Sequence, residues 1–252
     1  LASIILQPEI KNRQMGRVFE KRKHKMFARY AKMSRTFTKI GKEIAIAIKA
    51  GNGNGDPDSN SRLRAVIANA KAINMPKTNI DAAISRATSK QDKDFEEVVY
   101  EGKGPHNIPM IIETATDNPT RTVANLRSYF NKKGGQLMVS GSLDFLFERK
   151  GIFRIKNNGI NIEDFELEMI DDGLEEVEDD GDGHLILSVA FTDFGKMQHA
   201  LEERKIEIIN AELQRIPTTP VELTEEQETE FNILLDIIEE DDDVVKVYTT
   251  LM

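Results

Sequence analysis

Ile108-Pro-Met-Ile-Ile-Glu-Thr-Ala-Thr-Asp-Asn-Pro-Thr-Arg-Thr122 changes from one structural pattern to another within a few residues. Ile108 to Thr116 is rich in β-branched residues and reads as a strand. Thr116-Asp-Asn-Pro119 then starts a helix that runs to about Lys133, where Gly134-Gly135 ends it. Upstream, Phe95 to Tyr100 is another strand, separated from the first by the Gly102-Lys-Gly-Pro105 turn. The same phrase returns at Leu185 to Asp193. His184 to Phe191 is a strand ending at Thr192-Asp193, and a helix follows to about Arg204. Gly151 to Lys156 and Ile206 to Ile216 are strands beside it. Ile162 to Val177 mixes turns with a short acidic helix or strand, and the sequence leaves that choice open. Asp117 and Asp193 at the helix starts are expected to satisfy free N–H groups and to complement the dipole. Two strand-Thr-Asp-helix phrases point to two ferredoxin-like α+β units. The first unit lacks a closing helix and strand. These come last, after Pro217 and Pro220, as a Thr224-capped acidic helix with Phe231, Leu234, Leu235 and Ile238 inward, and a strand at Val244 to Thr249. The second unit is therefore expected to be inserted within the first.

Ahead of residue 92 the pattern is helical and basic. Arg17 to about Met33 places Phe19, Met26, Tyr30 and Met33 on one face. Ser34 can cap a second helix with Phe37, Ile40, Ile44 and Ile48 on one side and Arg35, Lys39 and Lys42 on another. Gly51 to Pro57 ends it in a flexible loop. A third helix turns Leu63, Val66, Ile67 and Ala70 inward and Arg62, Arg64 and Lys71 outward. Pro76 opens a fourth, with Ile80, Ala83, Ile84 and Ala87 as its buried stripe. The expected class is α+β: an all-helical N-terminal domain (15–91), an α+β domain in two pieces (92–148 and 218–252), and an inserted one (149–217). Residues 1–14 read as a leader or a mis-called start, with Met15 as the first native residue.

The charge is divided along the chain. Residues 1–90 carry 19 Lys and Arg against 6 Asp and Glu, a balance of +13, and the remaining residues carry 15 against 37, or −22. A basic arm on an acidic body favours a polyanionic partner over mere solubility. The absence of cysteine excludes disulfides, thiolate zinc sites and cysteine nucleophiles, and suits a reducing cytoplasm. The histidines are far apart, so no metal site is expected, and no apolar run is long enough to cross a membrane. Hydrophobic residues make up 39% of the chain, enough for a core, so general disorder is not expected.

Several stretches resemble the YebC family, which includes the mitochondrial translational activator of cytochrome oxidase. They are Met15-Gly-Arg-Val-Phe-Glu20, Phe37-Thr-Lys-Ile-Gly-Lys-Glu-Ile44, Arg62 to Lys77, Tyr100-Glu-Gly-Lys-Gly-Pro105, Thr116 to Val123 and Phe147-Glu-Arg-Lys-Gly151. Ser61 stands where the family usually has proline, Thr78 where it usually has aspartate, and the Gly51–Gly55 loop is longer and richer in asparagine. The resemblance implies three domains with the third nested in the second. It also implies a non-enzymatic regulator of gene expression, described for many members as a transcriptional regulator that binds DNA. For others the implied role is translation at the ribosome, including relief of stalling.

Gly51–Gly55 lacks the P-loop pattern and follows no strand, so it reads as a loop and not a phosphate cradle. Glu178 to Gly183 lacks the closing Glu of an EF-hand and reads as an acidic turn. Asp171-Asp172 and Asp241–Asp243 could hold Mg²⁺, but they lie in the acidic body, so no enzyme is expected. Arg121 in a first helical turn opposes the helix dipole, and either a phosphate or an acid elsewhere would stabilise it. Phe19, Phe27, Tyr30 and Phe37 could stack on bases, although helical spacing favours core packing. The expected nucleic-acid contacts are Lys21, Arg22, Lys23, Lys25, Arg29, Lys32, Arg35, Lys39 and Lys42, with Arg62, Arg64, Lys71 and Lys77 as a second row and Arg121 as a secondary site. The expected partner is DNA or ribosomal RNA, with basic ribosomal proteins meeting the acidic domains. No cofactor, membrane or small-molecule substrate is expected.

Overall fold

The computed structural model describes residues 36–89 and 95–251. The expected helix at 17–33, the Ser34 cap, and Lys21, Arg22, Lys23, Lys25, Arg29, Lys32 and Arg35 lie outside those residues.

Three helices come first: α1 (Thr36–Ala50), α2 (Ser61–Ala72) and α3 (Lys77–Thr88). Their apolar stripes meet in one cluster, with Ile40, Ile44, Ile48, Leu63, Val66, Ala70 and Ile80 buried. Phe37 departs from its expected inward position and is 43% exposed. The Gly51–Gly55 loop, expected to be flexible, is held by Asn60. Its Nδ2 donates to the carbonyls of Ala47 (3.0 Å) and Asn54 (3.1 Å), and its Oδ1 accepts from the Leu63 N–H at the start of α2 (3.0 Å).

The first sheet contains β1 (Glu96–Lys103), β2 (Pro109–Thr116), β3 (Gln136–Leu137) and β8 (Val244–Thr249), in the order β3-β1-β2-β8. Its covering helices are α4 (Pro119–Lys132) and α7 (Glu225–Glu240). They bury Leu126, Phe130, Phe231, Leu234, Leu235 and Ile238 against Met110 and Ile112. A Cβ on Gly102 would lie 2.4 Å from the Phe130 ring, so only glycine lets the ring reach the sheet.

The second sheet contains β4 (Phe147–Lys156), β5 (Leu174–Asp179), β6 (His184–Ala190) and β7 (Ile208–Pro217), with α5 (Ile162–Met169) and α6 (Phe194–Glu203) packed on it. Its order, β5-β6-β4-β7, on a β-α-β-β-α-β chain path is the ferredoxin-like pattern. The stretch left open at Ile162–Val177 is α5, a 3₁₀ turn and β5. All sheet pairings are antiparallel. All strands of the second sheet fall in sequence between β3 and β8. The fold is thus a helical N-terminal region followed by two antiparallel sheets of an α+β protein.

The two helix-starting aspartates do not cap as expected. Asn118, not Asp117, caps α4 by accepting from the Arg121 N–H (3.0 Å). Asp193 makes no side-chain cap to α6. Thr224 does cap α7, in a reciprocal capping box with Gln227.

Candidate nucleic-acid interface

Of the basic residues expected on the head, Lys39 and Lys42 do not face solvent. They are 5% and 9% exposed and lie on the side of α1 that meets β2, β8 and the end of α7. Lys39 Nζ donates to the carbonyl of Glu239 (2.9 Å). Lys42 Nζ donates to the carbonyls of Asp242 (2.7 Å) and Ala115 (3.0 Å) and to Asp243 Oδ1 (3.2 Å). The cause is the C-terminus of α7. Its last carbonyls have no intrahelical partner and carry the negative end of the dipole, so the Lys39 ammonium satisfies that of Glu239, while Lys42 serves the Asp242 carbonyl and the Asp243 carboxylate in the loop just beyond the helix.

Asp243 is the centre of this junction. Its side chain is 6% exposed. Oδ2 accepts from Arg121 Nη2 (2.6 Å), Thr122 Oγ1 (2.9 Å) and Thr116 Oγ1 (3.2 Å). Burial acts to raise its pKa, but the hydrogen bonds from Arg121, Thr122 and Lys42 outweigh burial and hold the carboxyl below its ordinary value. Arg121 also pairs with Asp117 (2.7 Å), and these bonds to Asp243 and Asp117 push its guanidinium pKa further up. The alternative left open for Arg121 is thereby occupied: carboxylates hold it. The Thr116–Thr122 motif builds an anchor between the helical head and the first sheet.

The second row is divided. Arg62 makes a two-point pair with Glu97 (2.8 and 3.1 Å), and Arg64 lies 3.2 Å from Glu202. Lys71 and Lys77 are exposed. A groove of about 410 Å³ between α1 and α3 is lined by Phe37, Gly41, Lys42, Met75, Arg86 and Phe95, and neither Lys71 nor Lys77 lines it. Lys42 lies over the Phe95 ring at 5.1 Å. α2 also seals the open edge of the second sheet. Asn69 donates to the Ala211 carbonyl (2.8 Å) and accepts from its N–H (3.0 Å), which satisfies an edge-strand position on β7.

Two buried ions were not singled out from the sequence. Glu101, 3% exposed, accepts from the N–H groups of Gly141 (2.6 Å) and Leu143 (2.5 Å) and from Ser142 Oγ (3.3 Å). Arg215 bridges the sheets through Glu113 (3.0 Å) and Asp144 (2.5 Å). A lone Glu in a strand pattern was the one available signal for the first. In each acid cluster considered for Mg²⁺, a carboxylate has protein partners. Asp172 pairs with Arg204 (3.1 Å), and Asp241 accepts from Asn125 and Tyr129. The acidic turn at 178–183 folds around Asp180, which Arg154 and the N–H groups of Asp182 and His184 engage. Among the described residues, no three His, Asp or Glu side chains are placed to hold a metal ion. No helix among them is long and apolar enough to cross a membrane.

Residues 17–90 match the family model of the TACO1/YebC protein N-terminal domain, and residues 95–251 match that of the TACO1/YebC second and third domain. Similar relatives are described as probable transcriptional regulatory proteins. That of Myxococcus xanthus is 48% identical over 94% of this chain and 100% of its own length. That of Flavobacterium johnsoniae is 50% identical over 94% and 99%. That of Cytophaga hutchinsonii is 52% identical over 93% and 97%. The crystal structure of a conserved hypothetical protein, Aq1575 from Aquifex aeolicus, superposes with a TM-score of 0.72 at 32% identity, covering 86% of this chain and 88% of that one. The chain belongs to the TACO1/YebC family, whose curated relatives are described as regulatory proteins.

Proposed function

We propose that this protein is a non-enzymatic, cytoplasmic regulator of gene expression that holds DNA through its basic N-terminal helices. The observation that carries this reading is the division of charge, +13 over residues 1–90 against −22 over the rest. Lysine and arginine contacts to phosphate supply affinity and position but little sequence specificity. Specificity would then rest on nucleic-acid shape or on partners. The relatives described as probable transcriptional regulatory proteins support the same reading. Lys39 and Lys42 are withdrawn from the contact set because they serve the α7 terminus and the loop that follows it. The remaining head residues, with Lys71 and Lys77, carry it.

A second reading is favoured by the acidity of the two sheets. Structured RNA on the ribosome would be gripped by the head while the sheets approach basic ribosomal proteins. The test is competition between duplex DNA and ribosomes at physiological salt, followed by crosslinking. Crosslinks confined to ribosomal RNA overturn the DNA reading, and promoter footprints without ribosome co-sedimentation overturn the other. With about six phosphate contacts on a duplex, the log–log salt slope should be near −5, and a salt-independent interaction contradicts both readings.

A further inference from the structure

The outer face of α5 carries an apolar pair that the fold leaves uncovered. Phe165 and Met169 of this helix turn inward and are buried. Leu167 is 75% exposed, and Ile170, which continues the helical backbone, is 62% exposed. Three positions apart on one helical path, the two side chains are neighbours on the water-facing side. α5 packs beside β5, the outer strand of the second sheet. The opposite edge of that sheet is β7, which the head helix α2 seals.

The surroundings of the pair say what would cover it. Residues 157–195 contain 13 Asp and Glu and no Lys or Arg. By helical spacing Glu163, Asp164 and Asp171 flank Leu167, and Glu166 flanks Ile170. These four acids are exposed, and none has an ion-pair partner among the described residues. The cations that reach this end of the helix are already engaged. Arg204 pairs with Glu168 (2.8 Å) and Asp172 (3.1 Å), and Lys196 donates to the Asp171 carbonyl. Glu163 and Asp164 also suit the positive end of the α5 dipole, but Asp171 lies past its negative end, where a carboxylate is disfavoured and an outside cation would relieve it. Such a rim repels a polyanion and attracts a polycation, while the pair within it offers burial to aliphatic groups.

Resting on the second reading above for the class of partner, we propose that the outer face of α5 docks a basic protein segment. Aliphatic side chains of that segment cover Leu167 and Ile170, and its lysines and arginines meet Glu163, Asp164, Glu166 and Asp171. The head and the basic protein then lie at opposite edges of the second sheet.

The test uses the full chain and two fluorescent peptides, one of lysine with leucine at every third or fourth position, the other with serine in place of leucine. Co-sedimentation with intact ribosomes is measured in parallel. The variants are Leu167→Ser/Ile170→Ser, Glu163→Gln/Asp164→Asn/Glu166→Gln/Asp171→Asn, and Glu222→Gln/Glu225→Gln/Glu226→Gln/Glu240→Gln. The last removes the same charge from exposed acids beside the first sheet. Leu167→Ser/Ile170→Ser should weaken the leucine peptide about tenfold and leave the serine peptide unchanged. The α5 carboxylate variant should weaken both peptides about tenfold, while the first-sheet variant stays within about twofold of the parent. Circular dichroism checks the fold. If Leu167→Ser/Ile170→Ser binds the leucine peptide as the parent does, or if both carboxylate variants weaken it equally, this proposal is overturned, and ribosome co-sedimentation of the parent leaves the second reading standing. Peptide binding that depends on α5 without ribosome co-sedimentation overturns the second reading and supports this surface. Concentration-dependent self-association of the parent that Leu167→Ser/Ile170→Ser abolishes assigns the face to a second copy of the chain and overturns the proposed partner.

Discussion

Replacing Asp243 by Asn should detach the helical head from the first sheet. The side chain sits among Lys42, Arg121, Thr116 and Thr122 and is nearly sealed from water. Asparagine removes the charge and turns one acceptor into a donor aimed at other donors. Lys42 then keeps only the carbonyls of Ala115 and Asp242. Breaking a buried pair in this way costs about 3–5 kcal/mol. The lower end, about 3 kcal/mol, applies because Arg121 is 45% exposed and retains Asp117. Urea unfolding at neutral pH, followed by far-UV circular dichroism and by a fluorophore on α1, measures the loss. A double-mutant cycle with Lys42→Met isolates the pair and should return a coupling of about 1–3 kcal/mol. The loss should also depend on pH with a definite sign. The folded carboxyl lies below its ordinary value of 3.8, so its stabilisation is complete above that value and fades as pH falls through the folded one. A cost below about 0.5 kcal/mol at pH 7 would refute the reasoning, because a buried ammonium that has lost its counter-charge cannot be that cheap.

Three more outcomes can be measured. Glu101→Gln leaves one acceptor where a carboxylate now serves three donors, so it should cost about 1–2 kcal/mol and speed amide exchange at Gly141 and Leu143, with unchanged exchange counting against the anchor. Burial pushes the Glu43 carboxyl above 4.5, Lys246 pulls it back and Glu212 adds to the rise. Its folded value exceeds its unfolded one, so the ionised group disfavours folding at neutral pH. Glu43→Gln should therefore raise the melting temperature at pH 7, with the gain vanishing below pH 4.5. Gly102→Ala should drive a methyl into the Phe130 ring and cost about 1–3 kcal/mol, read by chemical denaturation; a neutral result would mean that the ring can move aside.

Local pattern alone established much of this protein. The β-branched run before Thr116, the glycine pair after Lys133 and the Thr224 capping box each depend on residues close in sequence, so their elements were legible. The helical stripes at Ile40, Ile44 and Ile48 were legible because burial follows the helical period. The missing helix and strand of the first unit could be read from element order, and they supply α7 and β8 of the first sheet. The family was also visible in short motifs spread from Met15 to Gly151.

Tertiary structure decided which charges were available. Lys39 and Lys42 belong to a basic helical face in sequence, yet a helix end some 200 positions later and the loop after it claim them. Thr116–Thr122 offers caps and an arginine, but only the return of Asp243 makes that motif an anchor. Asp117 and Asn118 both suit a cap, and the pull of Arg121 on one leaves the other to serve α4. Charge depends on composition and is read along the chain. Whether a charge faces water depends on what long-range packing brings opposite it, because a buried ion is stable only beside its partners.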